Sequence, residues 1–197
     1  MVNRFVLQPW LMGGLGVIGL MALMAIAVVV IPRGLPSQGD PAFLPLTKLE
    51  QQITEDYPTV NQVSPAIADQ WLRYDSPPPL VLDIREPEEY QVSHLPWAIN
   101  IPPDTPIDQV VKQYLSPRQP GQKILVYCSV GVRSSLYAQH LQGAGIGNIY
   151  NLQGSIFAWA NQELPLQRQG KKVHQVHGYN HQWEKYLSPQ YRSPLDD

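Results

Sequence analysis

Three short apolar runs, Leu80-Val81-Leu82-Asp83-Ile84, Ile124-Leu125-Val126-Tyr127 and Ile149-Tyr150-Asn151-Leu152, are spaced along the chain with helical signals between them. Each is too short for an ordinary helix and suits a buried strand. Ala98-Ile99-Asn100-Ile101 is a weaker strand candidate. Ser64-Pro65 reads as a helix start, with a capping hydroxyl followed by proline at the first helical position. Ile67 and Trp71 would give that helix its apolar side. Thr47-Lys48-Leu49-Glu50 reads as a capping box, with Leu49 and Ile53 on one face of a further helix. Val132 to Gln142 reads as a helix stopped by Gly143. Strands that alternate with helices pair in parallel, and a parallel sheet needs helices on both faces. The expected fold is therefore α/β, a parallel sheet flanked by helices.

Outside that region the pattern changes. Residues Leu11 to Ile31 are 21 uncharged, almost wholly apolar positions, which as a helix would span roughly 31 Å, the thickness of a bilayer's hydrocarbon core. Trp10 stands at one end and Arg33 follows the other. Ala25-Ile26-Ala27 resembles a signal-cleavage site, but the apolar run continues beyond it through Ile31, which favours an anchor over a cleaved signal. Arg4 on one side and Arg33 with Lys48 on the other leave the orientation open. The expected organisation is a flank at 1–10, a transmembrane helix at 11–31, a turn-rich linker at 32–45, a domain at 46–168 and a polar tail at 169–197, the tail either wrapping the domain or lacking order. A single-pass membrane protein is implied.

Composition narrows the function. The chain is 44% hydrophobic and 15% charged, so it can bury a core. A formal net charge of −2 without a run of Lys and Arg argues against nucleic acid as a partner. One cysteine permits neither an internal disulfide nor a site of several thiolates.

That cysteine sits in Tyr127-Cys128-Ser129-Val130-Gly131-Val132-Arg133-Ser134, where a predicted strand ends and a predicted helix begins. Sites in parallel sheets lie at the carboxyl ends of the strands. Backbone N–H groups of the loop and of the first helical turn would face the sulfur and favour a thiolate or a persulfide anion. Arg133 would add positive charge or close the loop by bonding its carbonyls.

Four segments, in order, resemble the rhodanese family of sulfurtransferases across roughly residues 60–166. Asp83-Ile84-Arg85-Glu86-Pro87-Glu88-Glu89-Tyr90 is similar to its D-[VI]-R-x-x-x-E-[YF] motif. Ser93-His94-Leu95-Pro96-Trp97-Ala98-Ile99-Asn100-Ile101-Pro102 resembles its G-H-I-P-G-A-x-N-I-P segment. The Cys128 loop resembles its active-site loop, and Leu152-Gln153-Gly154-Ser155-Ile156 with Trp159 its L-x-G-G-I-x-x-W segment. Ser93, Trp97 and Ser155 stand where the family usually has glycine. None adjoins the Cys128 loop in sequence, so they are expected to bear on specificity rather than chemistry.

The resemblance implies a sulfurtransferase in which Cys128 carries sulfur as a persulfide, and Ser129, Val130, Gly131, Val132, Arg133 and Ser134 form the anion-binding loop. Cys128 to Arg133 spans six residues, the family's sulfur-sized loop, where phosphate-ester hydrolysing relatives have one residue more. The implied partners are a small sulfur donor such as thiosulfate and a thiol or cyanide acceptor, with no cofactor. Because the chain has one cysteine, the acceptor must be a separate molecule. A non-catalytic docking or persulfide-sensing module at a membrane is the alternative, and the tail could take a protein partner. Asp83 and Arg85, at the carboxyl end of a predicted strand, read as supporting, structural residues, with Arg85 paired to Glu89 four residues on. His94 reads as a structural histidine. His174, His177 and His181 lack a carboxylate or thiolate companion in sequence, and no metal site is expected there.

Overall fold

The computed structural model describes residues 44–195. Five strands form one parallel sheet: β1 (Asn61–Val63), β2 (Leu80–Asp83), β3 (Ile99–Asn100), β4 (Ile124–Tyr127) and β5 (Ile149–Leu152), in the spatial order β1-β5-β4-β2-β3. Strand β4 lies at the centre, where all four of its side chains are buried. Its alternation divides the core. Leu125 and Tyr127 face Ala68 and Leu72 of helix α2 (Pro65–Tyr74) and the buried residues of helix α6 (Ser155–Asn161). Ile124 and Val126 face Tyr137, Ala138 and Leu141 of helix α5 (Val132–Gly143) and Val110 of helix α4 (Ile107–Val110), which runs on into a π-helical turn at Val111–Leu115. A strand buried on both faces needs apolar residues at every position, which is why β4 reads as an unbroken apolar run.

The strand and helix expectations hold, with two local corrections. Helix α1 (Thr47–Asp56) begins at Thr47 with Leu46 in the cap position and no side-chain cap, so the Thr47–Glu50 capping box does not form. A capping box does close helix α3 (Pro87–Val92), where the Glu86 N–H donates to Glu89 Oε2 at 3.1 Å. In α2 the Ser64 cap is present, its Oγ accepting from the Ile67 N–H at 3.4 Å, but Ile67 points to solvent and Pro65, Ala68 and Leu72 are the buried side. The three-residue step from Pro65 to Ala68, continued by Leu72, is the stripe that meets the sheet.

The chain beyond residue 168 packs on the domain. Strand β6 (Leu166–Arg168) pairs antiparallel with β7 (Lys171–Val173), so this hairpin crosses the expected boundary between domain and tail. Val176 and Leu187 are fully buried in the same core cluster as β4. They stand in a segment without a repeating apolar pattern, so the sequence could not mark them as core. The predicted transmembrane helix at 11–31 lies outside the described residues. Among the described residues, no helix is long and apolar enough to cross a membrane.

Asp83 and Arg85 form the pair that ties β2 to its neighbours. Arg85 Nη2 donates to Asp83 Oδ2 at 2.6 Å and Nε to Oδ1 at 2.8 Å, with both side chains wholly buried. Arg85 Nη2 also donates to the Ser93 carbonyl, and the Tyr127 hydroxyl donates to Asp83 Oδ2 at 2.6 Å. The sequence reading paired Arg85 with Glu89; the hydrogen-bonded partner is Asp83, because the shared carboxyl end of β2 puts both side chains on one turn. Removing one member strands the other as a buried charge. Arg85→Ala should therefore lower unfolding free energy by about 3–5 kcal/mol, read as a shift in the urea midpoint; a change below 1 kcal/mol would show that the pair is not structural.

Candidate functional site

Cys128 follows the last residue of β4, at the carboxyl end of the central strand, and its side chain is 1% exposed. The loop turns through Gly131, whose φ of 114° is closed to other residues without strain. A Cβ there would also lie 3.3 Å from the Asn151 side-chain nitrogen. This turn brings the Gly131 N–H to 3.2 Å from the Cys128 sulfur.

Neighbouring elements hold the loop's carbonyls outward so that its N–H groups can point in. The N–H of Ile156 donates to the Cys128 carbonyl at 3.2 Å and that of Phe157 to the Ser129 carbonyl at 3.1 Å, both from the first turn of α6. The Asn151 side chain donates to the Gly131 carbonyl at 3.4 Å. Ser155 Oγ accepts the Cys128 N–H at 3.1 Å. Ser155, which does not adjoin the loop in sequence and was expected to bear on specificity, thus supports the Cys128 backbone directly. Residues far apart in sequence meet here because β5 lies beside β4 and leads directly into α6. Ser155 keeps a left-handed backbone, with φ at 51°, and so does Trp97 at 59°. Ser93 is extended and needs no glycine. The Trp97 ring stands in solvent and does not line the Cys128 pocket.

Burial by itself would push the Cys128 thiol up. The Arg133 guanidinium, the hydroxyl and N–H of Ser134 and the Gly131 N–H outweigh it and hold the thiol below its ordinary value. Ser134 is wholly buried, and its hydroxyl has no other polar group to bond.

Arg133 does not close the loop through its carbonyls. Its Nη1 donates to Glu89 Oε2 and its Nη2 to Glu89 Oε1, each at 2.9 Å, and Nη2 also reaches Ser129 Oγ at 3.0 Å. The Ser129 hydroxyl donates to Glu89 Oε1 at 2.7 Å. Burial raises the Glu89 pKa, but Arg133 with Arg85 and Ser129 brings it below the usual carboxylate range. In sequence Glu89 appears as a motif position and as a helical neighbour of Arg85, with no link to the Cys128 loop. The signal that could have found it is the second acidic position of the Asp83-x-Arg85-x-x-x-Glu89 spacing, which puts Glu89 in the first turn of α3.

A cavity of about 160 Å³ opens over the sulfur, lined by Cys128, Ser129, Val130, Val132, Arg133, Tyr179 and Trp183. Five of these belong to the expected loop. Tyr179 and Trp183 were missed, because they come from the segment read as a polar tail. Asp83 and Arg85 do not line the cavity; they act from behind, within the core. His94 is also structural. It is stacked on Tyr90 at 4.0 Å, its Nδ1 lies 3.2 Å from the Tyr90 carbonyl, and its backbone pairs with Gln167. In the tail, His177 Nδ1 accepts from the Tyr179 N–H and His181 pairs with Glu184. Among the described residues no group of three or more His, Cys, Asp or Glu is placed to hold a metal ion.

Residues 66–162 match the family model described as Rhodanese-like domain. A tRNA uridine(34) hydroxylase of Sodalis glossinidius is 35% identical over 103 residues, covering 49% of this chain and 29% of that protein. The enzyme of the same name from Erwinia tasmaniensis is 31% identical, with the same coverage. The chain thus spans less than a third of the length of these curated relatives. Among solved structures, a thiosulfate sulfurtransferase from Pseudomonas aeruginosa is similar in fold, with a TM-score of 0.51 at 21% identity, over 63% of this chain and 23% of that one.

The lowered Glu89 pKa fixes a sign. The ionised carboxylate stabilises the fold above the unfolded carboxylate value of about 4.3, and that contribution is lost as pH falls through the lower folded value. Glu89→Gln should therefore cost stability at pH 7 and cost progressively less below about pH 4. Paired urea titrations at the two pH values check this; an equal loss at both would remove the ion pair as its cause.

Proposed function

Starting from the rhodanese-like domain that residues 66–162 form, we propose that the chain is a sulfurtransferase in which Cys128 carries sulfane sulfur as a persulfide. The observation that carries this reading is the Cys128 sulfur itself, buried at the end of β4 with the Gly131 N–H at 3.2 Å and its thiol held below the ordinary value. A thiolate there attacks the outer sulfur of a donor such as thiosulfate. The new sulfur–sulfur bond forms as the donor's own breaks, and sulfite leaves with the bonding pair. The persulfide then gives its outer sulfur to cyanide or a thiol, which restores the thiolate in a two-step displacement. Loop N–H groups stabilise the negative charge as it shifts from one sulfur to the next. With one cysteine in the chain, the acceptor is a separate molecule. No cofactor enters either step.

Arg133 has a divided role. Its charge favours the thiolate, yet its donors are engaged by Glu89 and Ser129. That supports weak rather than strong binding of doubly charged thiosulfate. The relatives named tRNA uridine(34) hydroxylase favour a second reading, in which this domain serves a tRNA-modifying role. The formal net charge of −2 without a basic run speaks against tRNA as a ligand of this chain. We further propose that residues 11–31 tether the domain to a membrane, on the strength of their 21 uncharged positions.

Intact mass of the full chain after thiosulfate should rise by one sulfur atom and fall back after cyanide, with Cys128→Ser showing no change. The rate of loading should increase with pH and level off below the ordinary thiol value of about 8.5. No gain with thiosulfate or any organic thiosulfonate, together with a gel shift of tRNA, would move the assignment to the second reading. On expression in bacteria, the full chain should sediment with membranes and resist carbonate washing, whereas a chain lacking residues 1–33 should not; equal partitioning of the two would remove the tether.

A further inference from the structure

Resting on the sulfur-transfer reading, we infer that Tyr179 and Trp183 form an aromatic wall that selects the sulfur donor. The favoured class is an organic donor with one negative charge and an apolar group of aromatic size, in preference to inorganic thiosulfate.

Two independent features of the pocket lead there. The first is its charge. Arg133 is the one cation lining the cavity among the described residues, and its bidentate pairing with Glu89 makes the two together neutral. The Ser129 hydroxyl, also lining the cavity, gives its hydrogen to Glu89. A dianion entering this space would lose hydration without meeting net positive charge, and such burial is costly. The second is the remaining surface: Val130, Val132, Tyr179 and Trp183 are all apolar or aromatic. Tyr179 also covers one face of Arg133, with the guanidinium carbon 4.8 Å from the ring centroid.

The wall is built rather than draped. Tyr179 has φ at 66°, a strained choice for an aromatic residue, held by its N–H donating to His177 Nδ1 at 3.0 Å. The Asn180 side chain accepts from the N–H groups of Gln182 and Trp183 at 3.0 and 3.1 Å, which fixes the turn that presents Trp183. Gly178 packs so closely on Glu184 that a Cβ would lie 2.6 Å from the Glu184 Cβ. Buried Val176 and Leu187 anchor the two ends, and the Asn161 side chain clasps the Tyr186 carbonyl and the Ser188 N–H. Tyr179 lines the cavity and remains 45% exposed, so a ligand can reach it.

The chemistry is the same displacement. The Cys128 thiolate bonds to the outer sulfur of an aryl thiosulfonate, the bond between that sulfur and the sulfonyl sulfur breaks, and an arenesulfinate leaves with the bonding pair. One negative charge on the protein and one on the small molecule are present before and after.

Second-order rates of sulfur loading on the full chain, read by intact mass, should rank benzenethiosulfonate above methanethiosulfonate by roughly threefold to tenfold, the size of one aromatic contact. Thiosulfate should be slower than both. Tyr179→Leu and Trp183→Leu should each bring the ratio of the two thiosulfonates toward one. A merely structural role would lower both rates together and leave the ratio intact, and that result overturns the inference. If a leucine variant does not fold, the wild-type ranking decides alone, and equal rates for the two thiosulfonates overturn it. Absence of loading by all three donors is a different failure, since it removes the sulfur-transfer reading itself.

Discussion

The carboxylate of Glu89 joins the two halves of the site. It accepts the Glu86 N–H that starts α3, the Ser129 hydroxyl and both terminal nitrogens of Arg133. The side chain is almost fully buried, and an ionised group in that position persists only because its oxygens are matched by donors. Without it the Arg133 charge would be unpaired and the loop free to turn. The position of the Cys128 loop thus depends on a helix forty residues earlier in the chain, brought near because β2 and β4 are neighbours in the sheet.

Behind that link lies a second ionic anchor. Asp83, Arg85 and Tyr127 join the carboxyl ends of β2 and β4 through hydrogen bonds of 2.6–2.8 Å. The Tyr127 hydroxyl also accepts the Leu95 N–H, and burial with the nearby Asp83 charge keeps that phenol protonated. The strand that presents Cys128 is therefore fixed on one side by a neutralised ion pair and on the other by Ser155 and the N–H groups of α6. Two constraints from opposite directions hold the backbone that carries the sulfur, which is the condition for backbone N–H groups to act as a prearranged cradle.

The segment after residue 168 changes the character of that setting. It pairs in the β6–β7 hairpin, buries Val176 and Leu187 and returns Tyr179 and Trp183 over the loop. The loop alone would offer the sulfur, its N–H groups and the partly engaged Arg133. With the returning segment it becomes a small cavity with an aromatic side, so the chemistry arises from one part of the chain and the shape of the pocket from another.

Sequence determined a good deal by itself. The apolar runs at 80–84, 124–127 and 149–152 gave the parallel sheet because a strand buried on both faces admits few polar residues. The Cys128-to-Arg133 loop was legible because the end of a strand, a glycine and a helix start are all local signals. Tertiary structure alone decided the partners. Arg133 meets Glu89 rather than the loop carbonyls, Arg85 meets Asp83 rather than Glu89, and Ser155 supports Cys128 across 27 positions of chain. The aromatic wall was illegible for the same reason, since an irregular segment such as 174–193 carries no periodicity to say which of its faces is turned inward. Periodicity reports which side of an element is apolar; what that side meets is set by how the strands are ordered in the sheet.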